Sequence, residues 1–80
     1  MARSTAYSEP LSIDALTHTN LSALARVVRD YGDASGVFTR IDAAAVPHIK
    51  RCIRAGAVEA AGAAGSWRVS AAGRAAMAAR

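Results

Sequence analysis

Between Pro47 and Arg54 the chain reads Pro-His-Ile-Lys-Arg-Cys-Ile-Arg, with three cations, a histidine, a cysteine and no acidic residue. Lys50, Arg51 and Arg54 are residue types that neutralise phosphate, and an arginine can bond a guanine edge through two hydrogen bonds. If this stretch is a helix, Pro47, Lys50, Arg51 and Arg54 share one arc, while Val46, Ile49 and Ile53 share another about 120° away. The expected chemistry is contact with a polyanion through a basic helix face, and the competing reading is a solvated face that confers solubility. His48 and Cys52 are four residues apart on such a helix and could share a metal ion. Structural zinc takes four ligands at closed spacings, and the other histidine, His18, is distant in sequence, so no metal site is expected. Cys52 is expected as a small, part-buried apolar residue beside Ile49 and Ile53, and His48 as an exposed one near phosphate.

Other chemistries find little support. The stretch Gly62 to Gly65, Gly-Ala-Ala-Gly, is no phosphate loop, because no Lys-Ser/Thr pair follows it. Asp30 and Asp33 flank a turn and are expected to solvate it. A chain of 80 residues has little room for a closed pocket, so no enzyme and no cofactor is expected. Trp67 could stack on a single-stranded base, but no second aromatic stands near it at strand spacing. It is expected instead as the largest core residue of its region.

The elements that position these residues must come from one small domain. Eighty residues make a single core, which buries roughly 60% of the unfolded surface. The chain is 52% hydrophobic, but much of that is alanine, so the core is thin and self-association would help it. A single cysteine, Cys52, cannot form an internal disulfide. No apolar stretch has the length of a signal-peptide core or a membrane span, so a cytoplasmic protein with no membrane partner is expected. The isoelectric point is about 10.2. From Arg40 onward there are seven cations against two anions, whereas the first thirty-nine residues carry three against four. The basic half favours a polyanion partner such as nucleic acid.

Along the chain, residues 1–11 read as a flexible arm and residues 12–80 as the domain. Ser12 is a plausible cap for a short helix with Ile13 and Leu16. Asn20 is the expected cap of a helix whose stripe is Leu21, Leu24, Val28 and Tyr31, stopped by Gly32 at a C′-like position. A turn at Asp33 to Gly36 follows, and then a short strand or an extended link around Phe38. Residues 41–46 predict a very short helix that ends before Pro47. Pro47 then opens the basic helix, which Gly56 ends. Two short strands around Val58 and Val69 form a hairpin across Gly62 to Gly65. Ser70 caps an alanine-rich helix anchored by Met77. That helix is either a dimerisation surface or a cap on its own core.

The order of elements, with Ile49 to Met77 as its most specific part, resembles a winged helix-turn-helix domain of the MarR-type and ArsR-type small bacterial or phage regulators. The family's hairpin-to-helix pattern is matched by Trp67-Arg68-Val69-Ser70-Ala71-Ala72-Gly73-Arg74-Ala75-Ala76-Met77. The resemblance covers Asn20 to Met77. It implies an α+β, mainly α fold with a small β-hairpin wing, and a recognition helix from Pro47 to Arg54 in the major groove. It makes Arg40, His48, Lys50, Arg51, Arg54 and Arg68 the DNA-binding residues. The hairpin tip departs from the family, whose wings usually carry a Lys or Arg there, and the helix between Ile41 and Val46 is short. The function implied is a DNA-binding transcriptional regulator, often a repressor, acting on double-stranded DNA; a homodimer follows only where the alanine-rich C-terminal helix is a dimerisation surface and not a cap. The alternative is a protein-binding module, an inhibitor or adaptor that docks on an acidic protein surface.

Overall fold

Thr17 and Asn20 start the long helix together. In the computed structural model, which describes residues 11–79, helix α1 runs from His18 to Tyr31. The Asn20 N–H donates to the Thr17 hydroxyl at 3.0 Å, and the Thr17 N–H donates to the Asn20 side-chain oxygen at 2.9 Å. This reciprocal box satisfies two donors that a helix start otherwise leaves open. The cap is therefore Thr17 and not Asn20, and the helix begins three residues earlier than its apolar stripe suggests. Leu21, Leu24 and Val27 are buried, whereas Val28 and Tyr31 are only half-buried. Gly32 caps the end with φ −74°, so it is not the left-handed residue expected there. A side chain at Gly32 would collide with the Val28 carbonyl, and closeness is what requires the glycine.

Ahead of α1, Ser12 caps a single 3-10 turn, Ile13–Ala15. The arm expected at residues 1–11 lies outside the described residues apart from Leu11, as does Arg80. The Leu11 N–H donates to the Arg54 carbonyl at 3.1 Å.

After α1 the Asp33 carboxylate closes its turn, accepting from the Ser35 N–H, the Ser35 hydroxyl and the Val37 N–H at 2.8, 2.6 and 3.1 Å. The Ser35 hydroxyl and these amides hold Asp33 below the usual carboxylate range. Of the two expectations around Phe38, the chain follows the extended link, with one bridge: Phe38 and Trp67 exchange two backbone hydrogen bonds, both 2.9 Å. The short helix expected at residues 41–46 is not formed. Residues 43–45 are a turn that feeds directly into α2, Val46–Arg54. Gly56, at φ +78°, provides the left-handed exit.

Strands β1 (Val58–Ala60) and β2 (Trp67–Val69) pair antiparallel, with Glu59 opposite Arg68. β2 thus has β1 on one edge and Phe38 on the other. Helix α3, Ala71–Ala79, follows at once. The Ser70 hydroxyl donates to the Gly56 carbonyl and accepts from the Gly73 N–H at 3.0 Å, so it caps α3 and ties it to the end of α2. Gly73 is buried, and a Cβ there would run into the Ala57 carbonyl and stand 2.8 Å from Val69 Cγ1.

The chain is α+β and mainly helical. Leu24, Val27, Phe38 and Ile49 form the centre of the core. Trp67 is half-buried and packs against the core edge, so Phe38, not Trp67, is the largest fully buried side chain. Among the described residues no helix is long and apolar enough to cross a membrane.

Candidate nucleic-acid interface

The basic helix is positioned by an ion pair and by its own apolar side. Arg26 on α1 grips Asp42 through two bonds of 2.9 and 3.1 Å, and the guanidinium holds the Asp42 carboxyl below its usual range. The Asp42 carbonyl then accepts from the Ala45 N–H at 2.9 Å, which launches the turn into α2. Pro47 sits in the first turn of the helix, where its missing N–H costs nothing.

The inward direction of α2 is rotated from the expected one. Ile49 and Cys52 are buried, with Ala45 just before them, whereas Val46 and Ile53 are half-buried at the margin. The reason is that α1 packs along the Cys52 side, where the Asn20 carbonyl lies 4.0 Å from Cys52 Sγ. Cys52 is fully buried, and burial pushes its thiol up to about 11, with a weaker opposing pull from Arg51.

That rotation divides the six residues proposed to reach DNA. Lys50 is exposed on the outer face, and among the described residues no hydrogen bond or ion pair holds it. Arg54 is half-buried at the C-terminal end of the same face. Arg51 turns toward α1 and the turn before it, where its Nε donates to Asn20 Oδ1 at 3.2 Å and its Nη2 to the Ala15 carbonyl at 3.2 Å. His48 is half-buried rather than exposed, with its Nδ1 2.8 Å from Asn20 Nδ2. Asn20 Oδ1 already accepts from Thr17 and Arg51, so the amide orientation assigns Nδ2 as the donor to His48. His48 Nδ1 is then an acceptor, and the neutral ring carries its proton on Nε2. These two residues hold α2 against α1, so their polar groups are partly committed inside the protein.

Arg40 is exposed and lies over the Tyr31 ring, 5.7 Å from its centroid. Arg68 is exposed on β2 and pairs with Glu59 across the hairpin at 2.9 Å. It faces Arg74 and Met77 over a pocket on the α1–α3 side of the hairpin. The hairpin tip, turned by Gly62 and Gly65 at positive φ, carries no charge.

Asn20, expected only as a cap, also holds α2, and Arg26, Asp42 and Arg74 add contacts beyond the candidate residues. Thr-His-Thr-Asn is a readable capping signal for Asn20. The pairing of Arg26 with Asp42 spans sixteen residues and has no local signature. Among the described residues no group of three His, Cys, Asp or Glu side chains could hold a metal. No protein-family model, curated protein or solved structure matches this chain.

Proposed function

We propose that the chain is a small winged-helix protein that binds double-stranded DNA through α2 and acts as a transcriptional regulator. The observation that carries this reading is the outward face of α2. It is basic, no acidic residue lies between Val46 and Arg54, and Lys50 leads it in full exposure. The order of elements supports it too: a sharp turn enters α2, a hairpin leaves it, and β2 pairs with β1 on one edge and bridges to Phe38 on the other. In this reading Lys50 and Arg54 meet DNA first, Arg40, exposed over the Tyr31 ring, adds charge, and His48 and Arg51 set the angle of the helix. The turn at 43–45 stands where the family has a full helix, so α2 works with less support on the phosphate backbone. The protein is a binder and not an enzyme, and needs no cofactor.

Fluorescence anisotropy with a random-sequence duplex at two salt concentrations tests this. Non-specific binding is expected at roughly 1–100 μM, falling steeply with salt as counterions leave the DNA. Lys50→Ala should weaken binding to all sequences and reduce the log–log salt slope by about 1. No binding by the wild type, or an unchanged slope in Lys50→Ala, would overturn the assignment.

A second reading has its own support. The uncharged hairpin tip and the Arg68–Glu59 pair leave the wing poor in available charge. Such a wing suits an adaptor that docks α2 on an acidic protein surface. Its binding to duplex DNA would be absent, whereas capture by an acidic protein would depend on Lys50. Self-association belongs to the DNA reading: α3 exposes Ala71, Ala72, Ala75 and Ala78, which permit close approach of a second copy. A two-fold dimer spaces its recognition helices about 34 Å apart. Sedimentation equilibrium across micromolar concentrations tests it, and a monomer throughout would remove the dimer.

A further inference from the structure

Of the ten Lys and Arg side chains, nine are arginines and one is a lysine, Lys50. A guanidinium keeps its proton and its charge throughout the ordinary pH range, whereas an amine that sheds a proton is a nucleophile. Lys50 is therefore the one member of this set whose charge an acyl group can erase. The Cys52 thiol, a stronger nucleophile by type, is sealed in the core. Lys50 stands exposed on the outer face of α2, and among the described residues no hydrogen bond or ion pair holds it, so its stem is free to meet a reagent.

The surroundings select the acyl donor. Arg54 stands one turn further along α2, a spacing that puts the two Cβ atoms about 6 Å apart. No acidic residue lies between Val46 and Arg54. The two carboxylates of the basic half are engaged elsewhere, Asp42 by Arg26 and Glu59 by Arg68. An anionic reagent is thus concentrated at this face, and a neutral one is not. An acyl phosphate, the mixed anhydride of a carboxylic acid and phosphate, joins the attracted anion to a reactive carbonyl.

We propose that Lys50 is an acylation site for small acyl phosphates, and that its acylation releases the protein from DNA. The second half of this proposal rests on the DNA reading, and the first does not. Lys50 Nζ gives one proton to water, and its lone pair attacks the acyl carbon. The C–N bond forms and the C–O bond between acyl carbon and phosphate breaks. Inorganic phosphate leaves with that electron pair and takes up a second proton from the nitrogen, so nothing is oxidised or reduced. The product is a neutral amide in the middle of the α2 face.

The test treats the full 80-residue chain with acetyl phosphate or with the neutral ester 4-nitrophenyl acetate. Peptide mass spectrometry follows acetylation at Lys50 and at the N-terminal amine. The ratio of Lys50 rate to N-terminal rate should be about tenfold higher with acetyl phosphate than with the ester, because only the anion is drawn to α2. High salt should erase that preference. Protein acetylated at Lys50 should bind a random-sequence duplex about tenfold more weakly than untreated protein, with the log–log salt slope reduced by about 1. Lys50→Arg, whatever its own affinity, should bind alike before and after treatment, which separates Lys50 from the N-terminal amine. Equal rate ratios with the two reagents, or a preference that salt leaves intact, would overturn the site. Unchanged affinity and slope after acetylation of Lys50 would overturn the release from DNA. If untreated protein fails to bind the duplex, the DNA reading and the release fall together, and the rate ratio alone decides the acylation site.

Discussion

At the α1–α2 junction a buried amide gathers the contacts. Asn20 closes the start of α1, receives Arg51 and donates to His48, all with one side chain. At the β2–α3 seam the contacts converge on an absence of side chain, because Gly73 lets α3 lie against the Ala57 carbonyl while Ser70 bonds to both sides. The first junction is held by directional polar bonds, and the second by steric fit plus one hydroxyl. A polar junction tolerates small shifts but depends on every partner being present. A close-packed one has no tolerance for added volume. The element proposed to touch DNA is mounted on the polar junction, and the helix proposed to dimerise is mounted on the steric one.

Substitutions can break each side of that comparison in turn. Gly73→Ala should have the largest effect, because the new methyl meets backbone and not a flexible side chain. Overpacking of this kind costs about 2–3 kcal/mol, which lowers the melting temperature by roughly 10–20 °C in a domain of this size. Calorimetry checks it, and a loss under a few degrees would mean that α3 can slide. Asn20→Ala comes next, at about 2 kcal/mol, since it strands the acceptor of His48 and removes half of the capping box. Amide exchange should then rise in α2 and at the start of α1, with α3 little affected. Ser70→Ala should cost about 1 kcal/mol through the lost cap, with faster exchange confined to the first turn of α3. If Asn20→Ala and Ser70→Ala loosen both junctions equally, the two are one cooperative unit and the contrast fails.

Acid sharpens the comparison with the smallest effect. Arg26 holds the Asp42 carboxyl below its ordinary value near 3.9. The stability that this pair contributes is therefore present above that value and is lost as pH falls through the lower folded one. The Asp33 turn behaves in the same direction. No carboxylate takes part in the Ser70–Gly73 seam. Between pH 5 and pH 2 the entry to α2 should loosen before α3 does, and Asp42→Asn should reduce that difference in exchange. A difference untouched by Asp42→Asn would remove Asp42 as its source.

The sequence showed some of this and hid the rest for identifiable reasons. The hairpin, the left-handed Gly56 and the Ser70 cap were legible because each rests on two or three adjacent residues. The Asn20 cap was misplaced because Thr17 also fits that role three residues earlier, and only the reciprocal bonds choose between them. The expected helix at residues 41–46 is a turn instead, since three alanines favour a helix but the segment is too short to propagate one. The outward face of α2 was legible in composition but not in angle. Periodicity alone ranks Val46 and Ile53 above Cys52, whereas α1 packs along the Cys52 side. Arg51 and His48 illustrate the same limit. Their types suit phosphate, but their bonds to Asn20 depend on a contact some thirty residues away in sequence.

The lone thiol gives this geometry a clock. Cys52 is sealed under α2 and remains protonated at neutral pH, so a bulky disulfide reagent reaches it only when the helix swings away. The labelling rate, divided by that of the same cysteine in urea, reads out the fraction of time α2 stands open. A molecule that has been labelled cannot reseat the helix, because the adduct fills the space its neighbours occupy. Each opening that coincides with such a reagent is thus held in the labelled state until a thiol reductant reverses the mixed disulfide.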